Sequence, residues 1–266
     1  MARTSGPQKV RPPAVAGSFY PAGPERLRQD VTRFLAEVKE CRREGPQALI
    51  APHAGYMYSG PVAAHAFASL RDAGRKAGRV VVIGPAHYVA VRGIAVPTAD
   101  AFETPLGRVP VDRDALKAIA DLPFVSTADA PHAPEHALEV ELPFLQAVLD
   151  SFVLVPLLVG DAEPEEVADA LARIWDETLI VVSSDLSHYL DYDTARRRDA
   201  ATAAAIERRD WAALGPDDAC GFLPVAGLLM LAERHGLKAE RLALCNSGDT
   251  AGPRDRVVGY GAWTFA

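Results

Sequence analysis

The 266-residue chain is predicted to adopt an α/β fold with a central mixed β-sheet flanked by helices. Apolar runs of strand length occur at residues 48–51, 79–83, 152–160 and 178–182. These runs lack polar alternation, which is typical of strands buried on both faces of a sheet. Segments with apolar residues at helical spacing lie between them, and such alternation is characteristic of α/β proteins.

The remaining elements follow from spacing and from turn residues. Helical spacing of apolar residues predicts helices over residues 23–38, 61–70, 112–120, 163–176, 194–214 and 225–232. A further helix is expected to start near Pro134, with Pro143 bending it or starting a second helix. Short strands are expected at residues 93–96 and 108–111, with turn residues at 102–107 between them, and two closing strands at 241–245 and 257–265.

Composition limits the class of protein. The hydrophobic fraction of 49% and charged fraction of 24% are those of an ordinary soluble globular protein. No apolar run approaches the roughly 20 residues of a membrane helix, and no signal core is evident near the N-terminus. The net charge of -7 argues against a broad nucleic-acid surface. We expect a cytoplasmic protein with a flexible tail over residues 1–10 and a single domain over residues 11–266.

Two histidines occupy the same position relative to their predicted strands. His53 follows the strand at 48–51 after Pro52, and His87 follows the strand at 79–83 after Gly84-Pro85. Ligand sites in open α/β sheets lie outside the carboxyl ends of the strands. Adjacent parallel strands would therefore bring both imidazoles into one crevice, although either could also be a loop histidine without a role.

Two further pairs of histidine and acidic residues are candidates for the same crevice. His136 and Glu139 are three residues apart and would share a helix face, although a capped helix explains the glutamate equally well. Asp185 and His188 follow the strand at 178–182, where a carboxylate can orient an imidazole, but Asp185 could instead cap the next helix.

The cysteines are too few and too scattered for a disulfide framework, which indicates a reducing compartment. Cys41 is expected to be an incidental surface thiol. Cys220 precedes the apolar helix at 225–232, and a helix N-terminus favours the thiolate that a metal ligand requires. Cys245 also lies at a strand end beside a polar loop, so spacing leaves it as an alternative. His65, His132 and His235 are expected to be structural or surface residues.

Six motifs in the chain resemble the Memo family, whose bacterial and archaeal members are called AmmeMemoRadiSam system protein B. They are Ala-Pro-His-Ala-Gly-Tyr at 51–56, Gly-Pro-Ala-His at 84–87, Glu-His-Ala-Leu-Glu at 135–139, Leu-Pro-Phe at 142–144, Ser-Ser-Asp-Leu-Ser-His at 183–188 and Cys-Gly at 220–221. The resemblance spans nearly the whole chain, from about residue 11 to 266. Memo proteins are in turn similar in fold to class III extradiol ring-cleaving dioxygenases of the LigB type.

The resemblance implies a site of six side chains and a metal. His53, His87 and Cys220 match the family's metal-binding residues, and His188 matches the acid/base histidine of the dioxygenases. Asp185 and His136 match further pocket positions with catalytic roles. The dioxygenases complete their iron site with a glutamate, whereas Cys220 stands here. A thiolate shifts preference toward softer ions such as Cu(I) or zinc, so we expect iron or copper, with zinc as a further candidate.

Three functions are consistent with this resemblance. The first is metal-dependent redox or dioxygenase-like chemistry on a small-molecule substrate, with aromatic or phenolic compounds as candidates. The second is membership of a pathway with radical SAM proteins, an association that the family name records. The chain carries no Cys-x3-Cys-x2-Cys motif of its own, so radical chemistry would have to come from another protein. The third is a non-catalytic adaptor that uses the cleft for a peptide or small ligand. The first two are compatible and rank ahead of the third.

Overall fold

The computed structural model describes residues 8–39, 45–74 and 77–266. Cys41 lies outside these residues, as does most of the predicted flexible tail. Within the described ranges, no helix combines the length and the apolar character needed to cross a bilayer.

Four parallel strands form the centre of a mixed sheet that has nine strands in the described ranges. In spatial order they are β2 (Ala48–Ala51), β9 (Thr178–Ser183), β3 (Arg79–Pro85) and β8 (Val153–Val159). Apart from the first residues of β3 and β8, every residue of these strands is buried. Burial on both faces explains why their sequences lack polar alternation.

Shorter or antiparallel strands complete both edges. Beyond β8 lie β4 (Ile94–Val96) and β7 (Val125–Thr127). Next to β2 lies the antiparallel β12 (Val257–Phe265), which also pairs with β11 (Ala239–Asn246) and β10 (His188–Leu190). A separate small sheet contains β1 (Val10–Arg11), β5 (Ala101–Thr104) and β6 (Gly107–Pro110). The predicted mixed sheet is therefore present.

Two groups of helices pack around the sheet. The first contains α1 (Pro24–Glu37), α2 (Tyr56–Asp72) and α4 (Leu142–Val148), with α2 in contact with β2 and β12. In the second, α3 (Arg113–Ile119) and α7 (Phe222–His235) both contact α5 (Pro164–Arg173), and α7 packs on β3 and β9. The remaining helix, α6 (Tyr192–Arg208), packs on β11 and β12.

The segment after Pro134 differs from its prediction. It is a loop that leads into a short 3-10 turn at Glu139–Glu141, and only α4 is an α-helix, with Pro143 in its first turn. The carboxylate of Glu135 accepts hydrogen bonds from the amides of His136 and Ala137, both at 3.0 Å. These bonds tie the amides to a side chain, which stabilises a loop in place of the predicted helix. His136 and Glu139 therefore do not share a helix face.

Three segments also differ in detail from what their sequences suggest. The helix predicted at 61–70 begins at Tyr56, whose amide donates to the Phe19 carbonyl at 2.8 Å, and Pro61 lies inside it. Residues 101–104 form β5, although part of this segment was assigned to a turn. At the end of the predicted tail, Val10 pairs with Ala101 of β5, and the amide of Lys9 donates to the carboxylate of Asp100 at 2.8 Å. Lys9 and Val10 are therefore attached to the small sheet.

Candidate metal centre

The carboxyl ends of β2, β9 and β3 form one edge of the sheet, and the candidate site lies there. His53 follows β2 and His87 follows β3, each by two residues. The two strands are not adjacent, contrary to the prediction, because β9 lies between them. This order places Ser183, Ser184 and Asp185, which end and follow β9, between the two histidines.

Three imidazoles meet at this edge. The ring centroid of His53 lies 5.2 Å from that of His87 and 5.3 Å from that of His136. The rings of His87 and His136 are stacked with centroids 4.8 Å apart. One ligand atom from each ring can be chosen so that all three lie within 4.8 Å of one another. In the described part of the chain this is the group of three ligating side chains that could hold an ion.

The Nδ1 atom of each ring already has a polar partner. Nδ1 of His53 lies 2.8 Å from Oγ of Ser183, and that of His87 lies 2.9 Å from Oε1 of Glu135. Nδ1 of His136 lies 3.2 Å from the hydroxyl of Tyr88. Metal-ligating histidines commonly engage their second nitrogen in this way. We therefore expect Nε2 of each ring to face an ion.

Glu135 is a site residue to which sequence reasoning assigned no role. Its carboxylate is 2% exposed and accepts from both the amide of His87, at 2.6 Å, and the ring of the same residue. Burial alone would raise the pKa of Glu135, but the hydrogen bonds and the charge interaction with His87 lower it overall. Its place beside His136 in the motif was the signal, since a carboxylate near a histidine can orient it.

Two of the imidazoles, His53 and His136, are held in the neutral form that metal binding requires. Burial, followed by the proximity of His136 and His87, lowers the pKa of His53 well below its ordinary value. Burial likewise lowers the pKa of His136 to about 4. At neutral pH these two rings therefore offer lone pairs without first losing a proton.

Cys220 lies beside His53, outside the group of three imidazoles. Its Sγ is 3.3 Å from Nε2 of His53 and 3.3 Å from the amide nitrogen of Asp185. Burial, followed by the charge of Asp185, raises the pKa of the Cys220 thiol to about 12. The thiol is therefore protonated in the metal-free protein, contrary to the thiolate expected just before α7, because desolvation of the charged form outweighs the helix terminus.

Asp185 and His188 both line the site. The predicted interaction, in which the carboxylate of Asp185 orients the imidazole of His188, is not present, because each side chain has another partner. Asp185 is buried and accepts from the amide of His53 at 2.9 Å, so it fixes the loop after β2. Burial raises the pKa of this carboxyl to about 7. Nδ1 of His188 lies 2.7 Å from the Leu186 carbonyl. Since a carbonyl only accepts, Nδ1 carries the proton and Nε2 of His188 is free to accept one.

An open cavity of about 900 Å³ connects these residues to solvent. All six predicted site residues line it: His53, His87, His136, Asp185, His188 and Cys220. Aromatic side chains form much of the remaining wall, namely Phe19, Tyr58, Tyr88, Tyr189 and Tyr260. Tyr56 does not line the cavity; it is buried and donates to the Val140 carbonyl at 2.7 Å. Cys245 does not line the cavity.

The donor set fits a transition metal. Neutral imidazoles suit zinc, copper and iron, and a nearby thiol adds a soft ligand. In a tetrahedral site, ligand atoms about 2.1 Å from one ion are about 3.4 Å apart. Imidazole atoms up to 4.8 Å from one another therefore have to approach by as much as about 1.4 Å to share an ion.

An α/β fold with a cluster of three histidines at its strand ends defines a candidate metalloprotein, and sequence similarity identifies its family. Residues 11–264 match the family model described as Memo-like protein. A MEMO1 family protein of Saccharolobus solfataricus is 34% identical over an alignment of 281 positions, which covers 96% of this chain and 99% of the relative. A MEMO1 family protein of Thermotoga neapolitana is 36% identical over an alignment of 275 positions, which covers 94% of this chain and 98% of the relative. The chain belongs to the Memo family, as its motifs predict.

A solved structure is similar in fold at low sequence identity. The crystal structure of an uncharacterized protein from Escherichia coli K12 matches with a TM-score of 0.54 and 14% identity. The similarity covers 82% of this chain and 99% of that protein. It concerns the fold alone, and the predicted mixed α/β architecture is confirmed.

Proposed function

We propose that this Memo-family protein binds a transition metal at the strand-end cluster and performs redox or dioxygenase-like chemistry on a small aromatic substrate. The observation that carries the proposal is the convergence of His53, His87 and His136 with ligand atoms within 4.8 Å of one another. Cys220, beside His53, is the fourth candidate ligand. Iron and copper are the proposed ions, with zinc as the alternative, because imidazole and thiolate suit all three.

The side chains divide into ligands and groups that act on the substrate. A bound ion would supply Lewis-acid activation and, if it is iron or copper, electron transfer. His188 faces the cavity with Nε2 free, and burial lowers the pKa of this imidazole, so it can accept a proton from the substrate. Asp185 holds the loop of His53 in place through the amide.

The cavity supports a small planar substrate. A volume of about 900 Å³ accommodates a drug-sized molecule. Tyr58, Tyr88 and Phe19 contribute aromatic surface to its wall, which favours stacking against an aromatic ring. Phenols and catechols are therefore the compounds to test first.

The first experiment is metal analysis of protein purified without chelators, using His136→Ala and Cys220→Ala to separate the two ligand sets. If His53, His87 and His136 form the core, His136→Ala lowers metal content to background and Cys220→Ala lowers affinity only in part. If the family's His53, His87 and Cys220 bind the ion, the order of effects is reversed. His235→Ala, on the exposed end of α7, is the matched control.

The metal proposal is wrong if the wild-type protein holds no iron, copper or zinc above the level of His53→Ala. The pathway prediction needs a separate test, which is whether a radical SAM protein is encoded beside the gene and co-purifies with this protein. The adaptor alternative predicts a stable peptide or protein partner that is lost on cleft substitution while metal content stays unchanged.

A further inference from the structure

The Ser183 hydroxyl, at the end of β9, is in contact with three polar atoms. Its Oγ lies 2.8 Å from Nδ1 of His53, 2.7 Å from the carbonyl oxygen of Ala137 and 2.7 Å from Oε1 of Glu141. All the side chains involved are fully buried or nearly so. The positions of the protons can therefore be assigned from the number of hydrogen-bond donors and acceptors that each group offers.

The hydroxyl has one proton to donate and two lone pairs to accept with. The carbonyl of Ala137 can only accept, so the Ser183 proton is directed to it. The other two contacts must then each bring a proton to Oγ. His53 brings one on Nδ1, and Glu141 brings one as a neutral carboxylic acid.

The surroundings of Glu141 favour the neutral acid independently. The residue has no exposed surface, and its Oε2 has no hydrogen-bond partner among the described residues. An ionised carboxylate in this position would leave a charged oxygen unsolvated, which is strongly unfavourable. Burial raises the pKa of Glu141 well above its ordinary value, despite the hydrogen bond with Ser183, and the charge of Asp185 raises it further.

An ionised Glu141 would also conflict with the observed contacts. The Ser183 proton would be drawn to the carboxylate, and a lone pair of Oγ would then face the Ala137 carbonyl at 2.7 Å. Two acceptors at that distance repel each other. The protonated form satisfies all three contacts.

We propose that Glu141 is a neutral carboxylic acid and a positioning residue, which acts through Ser183 to keep the proton of His53 on Nδ1. The lone pair of Nε2, which lies 3.3 Å from Sγ of Cys220, is then available to an ion. Glu141 does not touch the cavity or the candidate ion. The consequence for metal affinity rests on the metal site proposed above, whereas the protonation states of Glu141 and His53 do not.

The protonation states can be measured in the metal-free protein. Infrared difference spectra between wild type and Glu141→Gln at neutral pH should contain the carbonyl band of a protonated carboxylic acid, which the subtraction separates from that of Asp185. Nitrogen-15 NMR of His53 should show the proton on Nδ1 in wild type, and a mixture of tautomers in Ser183→Ala. Glu103→Gln, on β5, is the control and should give no acid band. Absence of the band in the Glu141 difference spectrum, or a His53 proton on Nε2, would overturn the proposal.

Metal affinity tests the positioning role. We expect Glu141→Leu and Ser183→Ala to weaken metal binding about 10-fold, the lower end of what outer residues of metal sites contribute. Glu141→Gln should retain nearly wild-type affinity, because its amide N–H can donate to Ser183 as the acid does. Equal affinity of Glu141→Leu and wild type would contradict the positioning role. If wild type binds no metal, the proposed function fails, while the infrared and NMR results still decide the protonation of Glu141.

Discussion

Glu135 and His87 are joined by two hydrogen bonds across 48 residues of sequence. Oε2 of Glu135 accepts from the amide of His87 at 2.6 Å, and Oε1 lies 2.9 Å from its Nδ1. The amides of His136 and Ala137 donate to the same Oε1. One buried carboxylate thus orients the imidazole of His87 and holds the main chain of His136.

Glu135→Gln should weaken metal binding by about 10- to 100-fold, the range typical of residues that orient metal ligands. Every partner of the carboxylate is a donor, so the amide NH2 of glutamine would set donor against donor at one of the two oxygens. Competition with a chromogenic chelator measures the affinity. The control is Glu103→Gln, and an affinity for Glu135→Gln equal to that of the control would contradict the orienting role.

Removal of one partner of the buried ion pair of Arg11 and Glu139 should destabilise the protein strongly. Arg11 is 6% exposed and Glu139 is fully buried, and Arg11 also donates from Nε to the His132 carbonyl at 3.0 Å. Removing one partner leaves a buried charge unpaired, so we expect Arg11→Met to lower the free energy of unfolding by about 3–5 kcal/mol. Urea unfolding followed by circular dichroism measures the change.

The exposed pair of Arg108 and Glu103 supplies the comparison for Arg11. Its side chains are 56% and 37% exposed, so Arg108→Met should cost no more than about 1 kcal/mol. A similar decrease in the free energy of unfolding for Arg11→Met and Arg108→Met would contradict the prediction that burial makes the loss of Arg11 more costly.

Local sequence patterns were sufficient to predict the core strands and the meeting of His53 with His87. Uninterrupted apolar runs indicate strands that are buried on both faces. Both histidines come directly after such runs, so both lie at the carboxyl ends of their strands. The fold assignment needed nothing beyond these patterns and the family motifs.

The polar partners could not be predicted because they are distant in sequence. Spacing placed Glu139 beside His136, yet the carboxylate of Glu139 binds Arg11, 128 residues away. Spacing likewise placed Asp185 beside His188, whereas Asp185 binds the amide of His53. The order of strands, with β9 between β2 and β3, determines these contacts, and no local pattern encodes that order.

His132 should make the protein sensitive to mild acid. The side chain is 2% exposed, and its Nδ1 has no hydrogen-bond partner in the described residues. Burial lowers the pKa of His132 from 6.5 to about 4, and the charge of Arg11 contributes in the same direction. The unfolded chain therefore binds the proton at higher pH than the folded one, so stability is complete above pH 6.5 and is lost as the pH falls toward 4. The loss from this residue is about 3 kcal/mol.

His132→Gln can still donate to the Ala95 carbonyl, which Nε2 of His132 contacts at 3.0 Å, but it does not titrate. Its free energy of unfolding should therefore fall less than that of wild type between pH 6.5 and pH 4. Chemical denaturation at several pH values measures the difference. His235→Gln, on an exposed histidine, should follow wild type, and parallel curves for His132→Gln and wild type would contradict the prediction.

Gly221→Ala should lower both the stability of the protein and its affinity for the metal. A Cβ at this position would lie 2.7 Å from Cβ of Ser184 and 3.0 Å from the carbonyl oxygen of Ser183, so β9 and the start of α7 would have to separate. Overpacking of this kind costs about 1–3 kcal/mol.

The same separation would draw Cys220 away from Asp185, whose amide lies 3.3 Å from its Sγ, and away from His53. Thermal unfolding and chelator competition on the same preparation measure both effects. Gly78→Ala is the matched control, since a Cβ there has no neighbour within 4 Å and should change neither quantity. A Gly221→Ala protein that is less stable but binds metal as wild type does would place Cys220 outside the set of ligands, leaving the three imidazoles as the metal-binding core.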